Sequence, residues 1–252
     1  MAFDVAAQAY DRFMGRYSSL LSSQMADLAG VAAGQRALDV GCGPGALTGE
    51  LVARLGAGAV AAADPSESFV AAARDRHPGV DVRRATADDL PFPDAGFDAA
   101  LAQLVVHFMP DPVAGLAEMA RVTRPGGVVA ACVWDHAGGG GPLATFWEAA
   151  RELDPAVDDE SSLPGTRAGH LVELFRAATL AEVQEAVLTV HLEHATFEQW
   201  WEPYTLGVGP AGSYVKALDA ERRAELRERC LRRLGDGPIV VAARAWAARG
   251  RV

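Results

Sequence analysis

The sequence is poor in lysine: Lys216 is the only one, and the formal net charge is −10 at pH 7. A protein that binds the phosphates of nucleic acid needs a basic face. The acidic balance therefore argues against nucleic acid as a partner. Alanine and arginine are abundant by comparison, and we interpret this as compositional bias rather than as a functional signal.

Cysteine is also scarce. Cys42, Cys132 and Cys230 are far apart and form no CxxC pair. An odd number of isolated thiols is typical of a reducing compartment and provides no zinc site. No spacing of His, Asp or Glu that is typical of metal ligands is visible either, so no metal site is predicted.

A membrane-spanning helix needs about 20 consecutive apolar residues, and no apolar run in the sequence approaches that length. The first residues, MAFDVAAQAYDR, contain acids and no apolar segment, so no signal peptide is predicted. The 252 residues are 50% hydrophobic, which is enough for one α/β domain with a sizeable core. We therefore predict a cytoplasmic protein without a membrane partner.

One stretch, RALDVGCGPGALT from Arg36 to Thr48, contains three glycines at alternate positions. A short apolar strand, Ala37 to Val40, precedes Gly41, Gly43 and Gly45, and a helical pattern follows them. Glycines let the main chain turn sharply and let a ligand approach closely. The start of the helix presents free N–H groups. The stretch therefore predicts a cradle for a nucleotide-like ligand.

Two acidic residues narrow the chemical class of ligand that the cradle would bind. Asp39 lies inside the strand before the turn, and Asp64 ends the next strand, which begins at Ala59. A ribose-binding acid is expected about 20 residues beyond such glycines. We expect the Asp64 carboxylate to accept hydrogen bonds from both ribose hydroxyls, with a turn acid as the alternative. Ser66 is placed to cap the helix that begins at Glu67.

Four blocks of sequence follow one another in the first half of the chain. They are LDVGCGPG (Leu38 to Gly45), ADPSESFVAAAR (Ala63 to Arg74), ADDLPFPDAGFD (Ala87 to Asp98) and RVTRPGG (Arg121 to Gly127). In these blocks the chain resembles the class I S-adenosylmethionine (SAM) dependent methyltransferases of the small-molecule type. The resemblance covers about Tyr10 to Trp134.

The resemblance implies an α/β, Rossmann-like fold. Its seven-stranded, mostly parallel sheet has the order 3-2-1-4-5-7-6, with the last strand antiparallel, helices on both faces and a helical lid. We predict one domain over residues 1–252. Its parts are an N-terminal helical cap (1–33), a cofactor-binding core (34–134), lid insertions (135–166 and 196–235) and the remaining core (167–195 and 236–252).

The resemblance also implies SAM as cofactor and S-adenosylhomocysteine as product. The glycines would carry the methionine portion of SAM, whereas Thr86 stands where the family often has an acid that reads the adenine amino group. An arginine such as Arg16 would suit the cofactor's carboxylate. The residues assigned to the cofactor are Tyr10, Arg16, Asp39, Gly41, Gly43, Gly45, Asp64, Pro65, Ser66, Thr86, Ala87, Asp88 and Gln103.

His107 follows the fourth strand, near the carboxyl edge where parallel sheets bind ligands. It is the predicted general base for a hydroxyl acceptor, with His136 or Asp135 as weaker candidates. The alternative for His107 is a structural histidine that hydrogen-bonds the backbone. A free amine or an enolic carbon would need no strong base.

Aromatic residues are concentrated in the predicted lid, and we expect some of them to contact a small-molecule acceptor. The candidates are Trp134, Phe146, Trp147, Trp200, Trp201, Tyr204 and Tyr214. The sequence gives no indication of the oligomeric state.

Two other functions compete with methyl transfer. A nicotinamide-dependent oxidoreductase is one, because Gly41, Gly43 and Ala46 satisfy GxGxxA. Asp39 ahead of the turn and the lack of a second mononucleotide-binding half go against it. The other is a non-catalytic SAM-binding protein, because the motifs report binding rather than turnover.

Overall fold

The computed structural model describes residues 7–252; the first six residues of the predicted N-terminal cap lie outside them. Within this range one sheet has the strand order β3-β2-β1-β4-β5-β7-β6. The strands are β1 (Ala37–Val40), β2 (Val60–Asp64), β3 (Asp81–Arg84), β4 (Phe97–Gln103), β5 (Thr123–Trp134), β6 (Ala181–His194) and β7 (Ile239–Arg251).

Helices cover both faces of the sheet and its carboxyl edge. The α-helices are α1 (Ala7–Tyr10), α2 (Arg16–Ala29), α3 (Ala46–Leu55), α4 (Glu67–Arg76), α5 (Pro112–Val122), α6 (Ala144–Leu153), α7 (His170–Ala177), α8 (Phe197–Trp201), α9 (Gly209–Ala217) and α10 (Ala220–Leu234). A π-helical turn, Asp11–Gly15, joins α1 to α2.

Strands β1 to β5 pair in parallel, whereas β7 runs antiparallel between β5 and β6. The predicted order and strand directions are confirmed. Every residue of β1 and β2 is buried. Strands covered on both faces by crossover helices read as continuous apolar runs, which is why the sequence revealed them.

The sheet separates two hydrophobic cores. On one face, Leu21 and Met25 of α2 and Leu51 of α3 pack against the strands. On the other face, Leu116 of α5 and Phe175 of α7 do so. All five side chains are fully buried. The two cores hold the strand ends rigidly, so residues just beyond those ends have fixed positions.

Local signals explain most helix boundaries. The Asp111 carboxylate caps α5 by accepting hydrogen bonds from the N–H groups of Val113 and Ala114, as the Asp-Pro pair predicts. The predicted cap at Ser66 is wrong in its mechanism. Ser66 occupies the N-cap of α4, but its side chain makes no capping hydrogen bond and its Oγ lies 3.0 Å from that of Ser68.

Two strands continue past residues that often interrupt a strand. β5 begins at Thr123, which pairs with Phe97, and runs through Pro125-Gly126-Gly127. β7 continues through Gly250 to Arg251, which pairs with Val128. Each extension is stabilised by a partner strand distant in sequence.

A third cluster of buried side chains lies among α6 and α8–α10. It is rich in aromatic rings, and Phe146 stacks on Tyr204 with ring centroids 4.5 Å apart. Among residues 7–252, no helix combines the length and apolar character needed to cross a membrane.

Candidate active site

A cavity of about 480 Å³ follows the carboxyl edge of the sheet. Its wall includes Asp64 at the end of β2, Gly41 after β1, Gln103 at the end of β4 and Trp134 at the end of β5. Parallel strands present their carboxyl ends at one edge, and ligands collect where the crossover connections diverge. The predicted location of the site therefore coincides with this cavity.

The glycine turn forms part of the cavity wall. Gly41, Gly43 and Gly45 have φ angles of 69°, 53° and 100°, a region that other residues rarely adopt. A Cβ on Gly41 would lie 2.5 Å from Cγ2 of Val105, so the turn packs closely there. A Cβ on Gly43 would meet no atom of the described chain within 4 Å. Gly43 therefore presents bare backbone to the cavity.

Asp64 is buried, and each of its carboxylate oxygens accepts a backbone hydrogen bond. Its Oδ2 accepts a 2.9 Å hydrogen bond from the N–H of Gly43, and its Oδ1 accepts a 2.8 Å bond from the N–H of Ser66. Burial raises the pKa of Asp64, and the two backbone hydrogen bonds partly oppose the shift. Each oxygen keeps a second lone pair for a ligand hydroxyl.

Two buried oxygens near the turn have no hydrogen-bond partner among residues 7–252. One is Oδ1 of Asp39, whose Oδ2 accepts a 2.7 Å bond from Thr48 Oγ1. The other is Oε1 of Gln103, whose amide nitrogen donates to the carbonyl of Ser18 at 3.0 Å. Burial raises the pKa of Asp39 to about 7. These oxygens are acceptors suited to a cationic ligand group.

The N-terminal segment contributes to the wall in part. Tyr10 and Met14 line the cavity, and the Tyr10 ring packs edge-on against Phe69 at 5.4 Å. Arg16 does not line it. Its guanidinium lies 3.3 Å from Nδ1 of His194 and donates to the carbonyl of Glu193.

Three of the residues assigned to the cofactor lie apart from this wall. Thr86 and Asp88 are exposed and Ala87 is half-buried, and none of the three lines the cavity. Pro65 and Ser66 do line it.

His107 lies in the 3₁₀ turn Val106–Phe108 after β4, and His136 lies just after β5. Both line the cavity together with Glu160, which belongs to the 3₁₀ turn Glu160–Ser162. The His107 and His136 ring centroids are 6.0 Å apart. Nδ1 of His107 and Nε2 of His136 are buried and have no hydrogen-bond partner among residues 7–252.

Burial shifts the pKa of all three groups toward the neutral form. It lowers the pKa of His107 well below its usual value and that of His136 to about 4. It raises the pKa of Glu160 to about 7, against a 3.1 Å hydrogen bond that Trp147 Nε1 donates to its Oε2. Both imidazoles are therefore neutral near pH 7. Sequence reasoning missed Glu160 because its segment reads as an acidic surface loop.

Asp135 does not fit the role of a base. It is fully buried, and its carboxylate accepts hydrogen bonds from Arg244 Nε at 2.8 Å, Trp246 Nε1 at 2.9 Å and the N–H of Gly138 at 2.9 Å. It does not line the cavity. Asp135 instead joins the end of β5 to β7.

Among the predicted lid aromatics, Trp134 lines the cavity. The others are packed together in the third cluster, where the apolar faces of neighbouring helices bury one another. Phe13, Leu143 and Val208 form apolar wall that the sequence analysis did not assign.

The strand order and the glycine turn agree with the resemblance to the class I methyltransferases. Residues 38–131 match the sequence profile of a family described as a methyltransferase domain. The resemblance predicted from the four sequence blocks is therefore confirmed.

Two curated relatives of similar sequence are named as methyltransferases. The chain is 38% identical over 145 residues to a demethylmenaquinone methyltransferase of Tropheryma whipplei, which is 53% of this chain and 58% of that protein. It is 35% identical over 128 residues to a malonyl-[acyl-carrier protein] O-methyltransferase of Erwinia billingiae, which is 51% of this chain and 50% of that protein. The alignments thus span little more than half of these relatives.

Solved structures extend the likeness over most of the chain. A protein of Anabaena variabilis named as a methyltransferase of an antibiotic biosynthesis pathway has a TM-score of 0.63 at 17% identity, covering 91% of this chain and 98% of that one. Geranyl diphosphate methyltransferase in complex with SAM has a TM-score of 0.54 at 17% identity (93% and 85%). The [4+2]-cyclase SpnF has a TM-score of 0.55 at 22% identity (92% and 81%). At these identities the likeness shows the fold.

Proposed function

We propose that the chain transfers a methyl group from SAM to a small-molecule acceptor. The observation that supports this most is the single cavity that joins the glycine turn and Asp64 to the buried imidazoles of His107 and His136. One compartment thus contains a nucleotide-type cradle and groups able to hold a second molecule.

The residues of the cradle fit SAM chemically. The Asp64 carboxylate has lone pairs for the ribose hydroxyls, and Oδ1 of Asp39 and Oε1 of Gln103 are acceptors for the α-ammonium group. The open face of Gly43 admits the methionine backbone. When bound, SAM supplies an already activated methyl group, so the chain's own tasks are positioning and exclusion of water.

The part of the cavity beyond β4 and β5 suits an organic acceptor. Phe13, Trp134 and Leu143 provide apolar wall. His107, kept neutral by burial, is able to accept the proton of a hydroxyl acceptor. The names of the two curated relatives specify different acceptors, a demethylmenaquinone and a malonyl-carrier protein, so the acceptor of this chain is sought by its chemistry.

Binding and turnover test the proposal separately. Calorimetry should show that SAM and S-adenosylhomocysteine bind and raise the melting temperature, while NAD does neither; the reverse pattern would contradict the assignment. Because the fold neighbours include a cyclase, transfer is measured as acceptor-dependent formation of S-adenosylhomocysteine with phenols, carboxylates and amines. Cofactor binding without turnover on any acceptor would favour a non-catalytic SAM-binding protein.

A further inference from the structure

Three side chains from separate segments meet at the β5 side of the cavity. His107, His136 and Glu160 each offer one ligand atom, and these atoms all lie within 4.8 Å of one another. Nε2 of His136 is 3.9 Å from Oε1 of Glu160. The ends of β4 and β5 and the turn Glu160–Ser162 bring them together, so no short sequence motif contains the set.

Burial of this group is energetically unfavourable because some of its polar atoms lack hydrogen-bond partners. Nε2 of His136 and Nδ1 of His107 have no hydrogen-bond partner within residues 7–252. Burying such a group without a partner is unfavourable. The Glu160 side chain is only 5% exposed, and among residues 7–252 its basic partner is His136. A ligand that accepts all three lone pairs would compensate for this burial.

From this geometry we infer that His107, His136 and Glu160 bind a divalent transition-metal ion. Two neutral imidazoles and one carboxylate are the donor set of three-ligand zinc sites and of iron(II) sites with open positions. This inference does not depend on the proposed methyl transfer, because the ion would bind without SAM.

The distances suit such an ion after small side-chain rotations. Ligand atoms at about 2.0–2.2 Å from a tetrahedral ion are about 3.4 Å apart, so the separations here would shorten by about 0.5–1.5 Å. Trp147 Nε1 holds the other carboxylate oxygen of Glu160 at 3.1 Å. Outer partners of this kind orient a metal-binding carboxylate and leave Oε1 free for the ion.

The remaining coordination positions would face the cavity, since all three side chains line it. An acceptor oxygen bound there would be deprotonated more easily, because a metal ion stabilises the anion. His107 would then be a ligand, not the base. The site thus favours an acceptor with a hydroxyl or enol oxygen.

Metal titration of the metal-free chain of 252 residues tests the inference. We expect one Co²⁺ ion per chain, seen by its visible absorption spectrum, and its displacement by Zn²⁺. His107→Ala, His136→Ala and Glu160→Gln should each weaken binding by at least about 100-fold, and Trp147→Phe by about 10-fold, the range for an outer partner. The matched control His191→Ala, on an exposed histidine of β6, should leave the affinity unchanged.

Glu160→Gln decides the matter if a histidine variant fails to fold, because glutamine is nearly isosteric and still accepts the Trp147 hydrogen bond. Calorimetry with S-adenosylhomocysteine on the same variants separates this inference from the proposed function. Lost metal binding with retained cofactor binding supports the metal site. No stoichiometric Co²⁺ binding by the wild-type chain, or equal affinities for Glu160→Gln and His191→Ala, would overturn it while leaving the cofactor assignment standing.

Discussion

The backbone N–H of Gly43 donates a 2.9 Å hydrogen bond to the carboxylate of Asp64. The acid that ends β2 therefore fixes the turn that follows β1. Its other oxygen accepts a hydrogen bond from the N–H of Ser66. Asp64 therefore joins the glycine turn, the end of β2 and the start of α4, and all three line the cavity. The alternative role that the sequence analysis left open for Asp64, that of a turn acid, is therefore present, and ribose binding stays a prediction.

Replacing Asp64 should weaken cofactor binding through both roles. Asp64→Ala should reduce the binding free energy of S-adenosylhomocysteine by about 1–3 kcal/mol, the contribution of hydrogen bonds to a charged group. Asp64→Asn retains one carbonyl oxygen and should lose less. Isothermal titration calorimetry measures both. The control Asp75→Asn changes an exposed acid of α4 that does not line the cavity, and should bind as the wild type does. Unchanged affinity in Asp64→Ala would contradict the ribose assignment.

Gly41 should tolerate alanine poorly for two separable reasons. Its φ of 69° disfavours any Cβ, and that Cβ would also lie 2.5 Å from Val105 Cγ2. Gly41→Ala should lower the free energy of unfolding by about 2–5 kcal/mol, since left-handed backbone costs about 1–2 kcal/mol and overpacking about 1–3 kcal/mol. Urea denaturation measures the loss.

A matched glycine isolates the backbone contribution. Gly30 has nearly the same φ, 68°, and its Cβ would meet no atom of the described chain within 4 Å. Gly30→Ala should therefore lose only about 1–2 kcal/mol. Adding Val105→Ala to Gly41→Ala should recover part of the steric loss. Equal losses in the two glycine variants would show that the contact with Val105 is not felt.

The part of the cavity wall around the glycine turn was predictable because its signals are local. The turn containing Gly41 and the acid Asp64 each follow directly from a buried strand, and the parallel sheet brings consecutive strand ends to one edge. Which of the residues beyond the strand ends reach the cavity depends on how each strand pairs with its neighbours in the sheet. Thr86 and Asp88 follow β3 at the edge of the sheet and remain exposed outside the cavity wall.

The part of the cavity beyond β4 and β5 was less predictable because its contacts are distant in sequence. Helical periodicity identifies the aromatic face of α6 and α8 but does not say whether that face meets a ligand or a neighbouring helix. Phe146 stacks on Tyr204, so both rings are buried inside the third cluster. Glu160 approaches His136 only because the loop after α6 folds back on the end of β5.

Asp135 should matter for stability and not for proton transfer. Removing its carboxylate leaves Arg244, Trp246 Nε1 and the N–H of Gly138 without their acceptor. Asp135→Ala should lower the free energy of unfolding by about 2–4 kcal/mol, less than for a fully buried ion pair because Arg244 is partly exposed. Turnover per folded molecule should stay within a few-fold. A loss of turnover at unchanged stability would restore Asp135 as a candidate base.

Cofactor binding should release protons from Asp39. Burial raises the pKa of this carboxyl to about 7, so about half of the free protein carries it protonated at pH 7. The positive charges of SAM favour the carboxylate, and binding should therefore expel about half a proton at pH 7. Because bound protons must leave, affinity should rise as the pH increases through 7. Calorimetry in buffers of different ionisation enthalpy measures the released fraction. Asp39→Asn should abolish the release and flatten the pH dependence, which separates Asp39 from the nearby Asp64. Proton release that persists in Asp39→Asn would assign the titration to another group of the cavity.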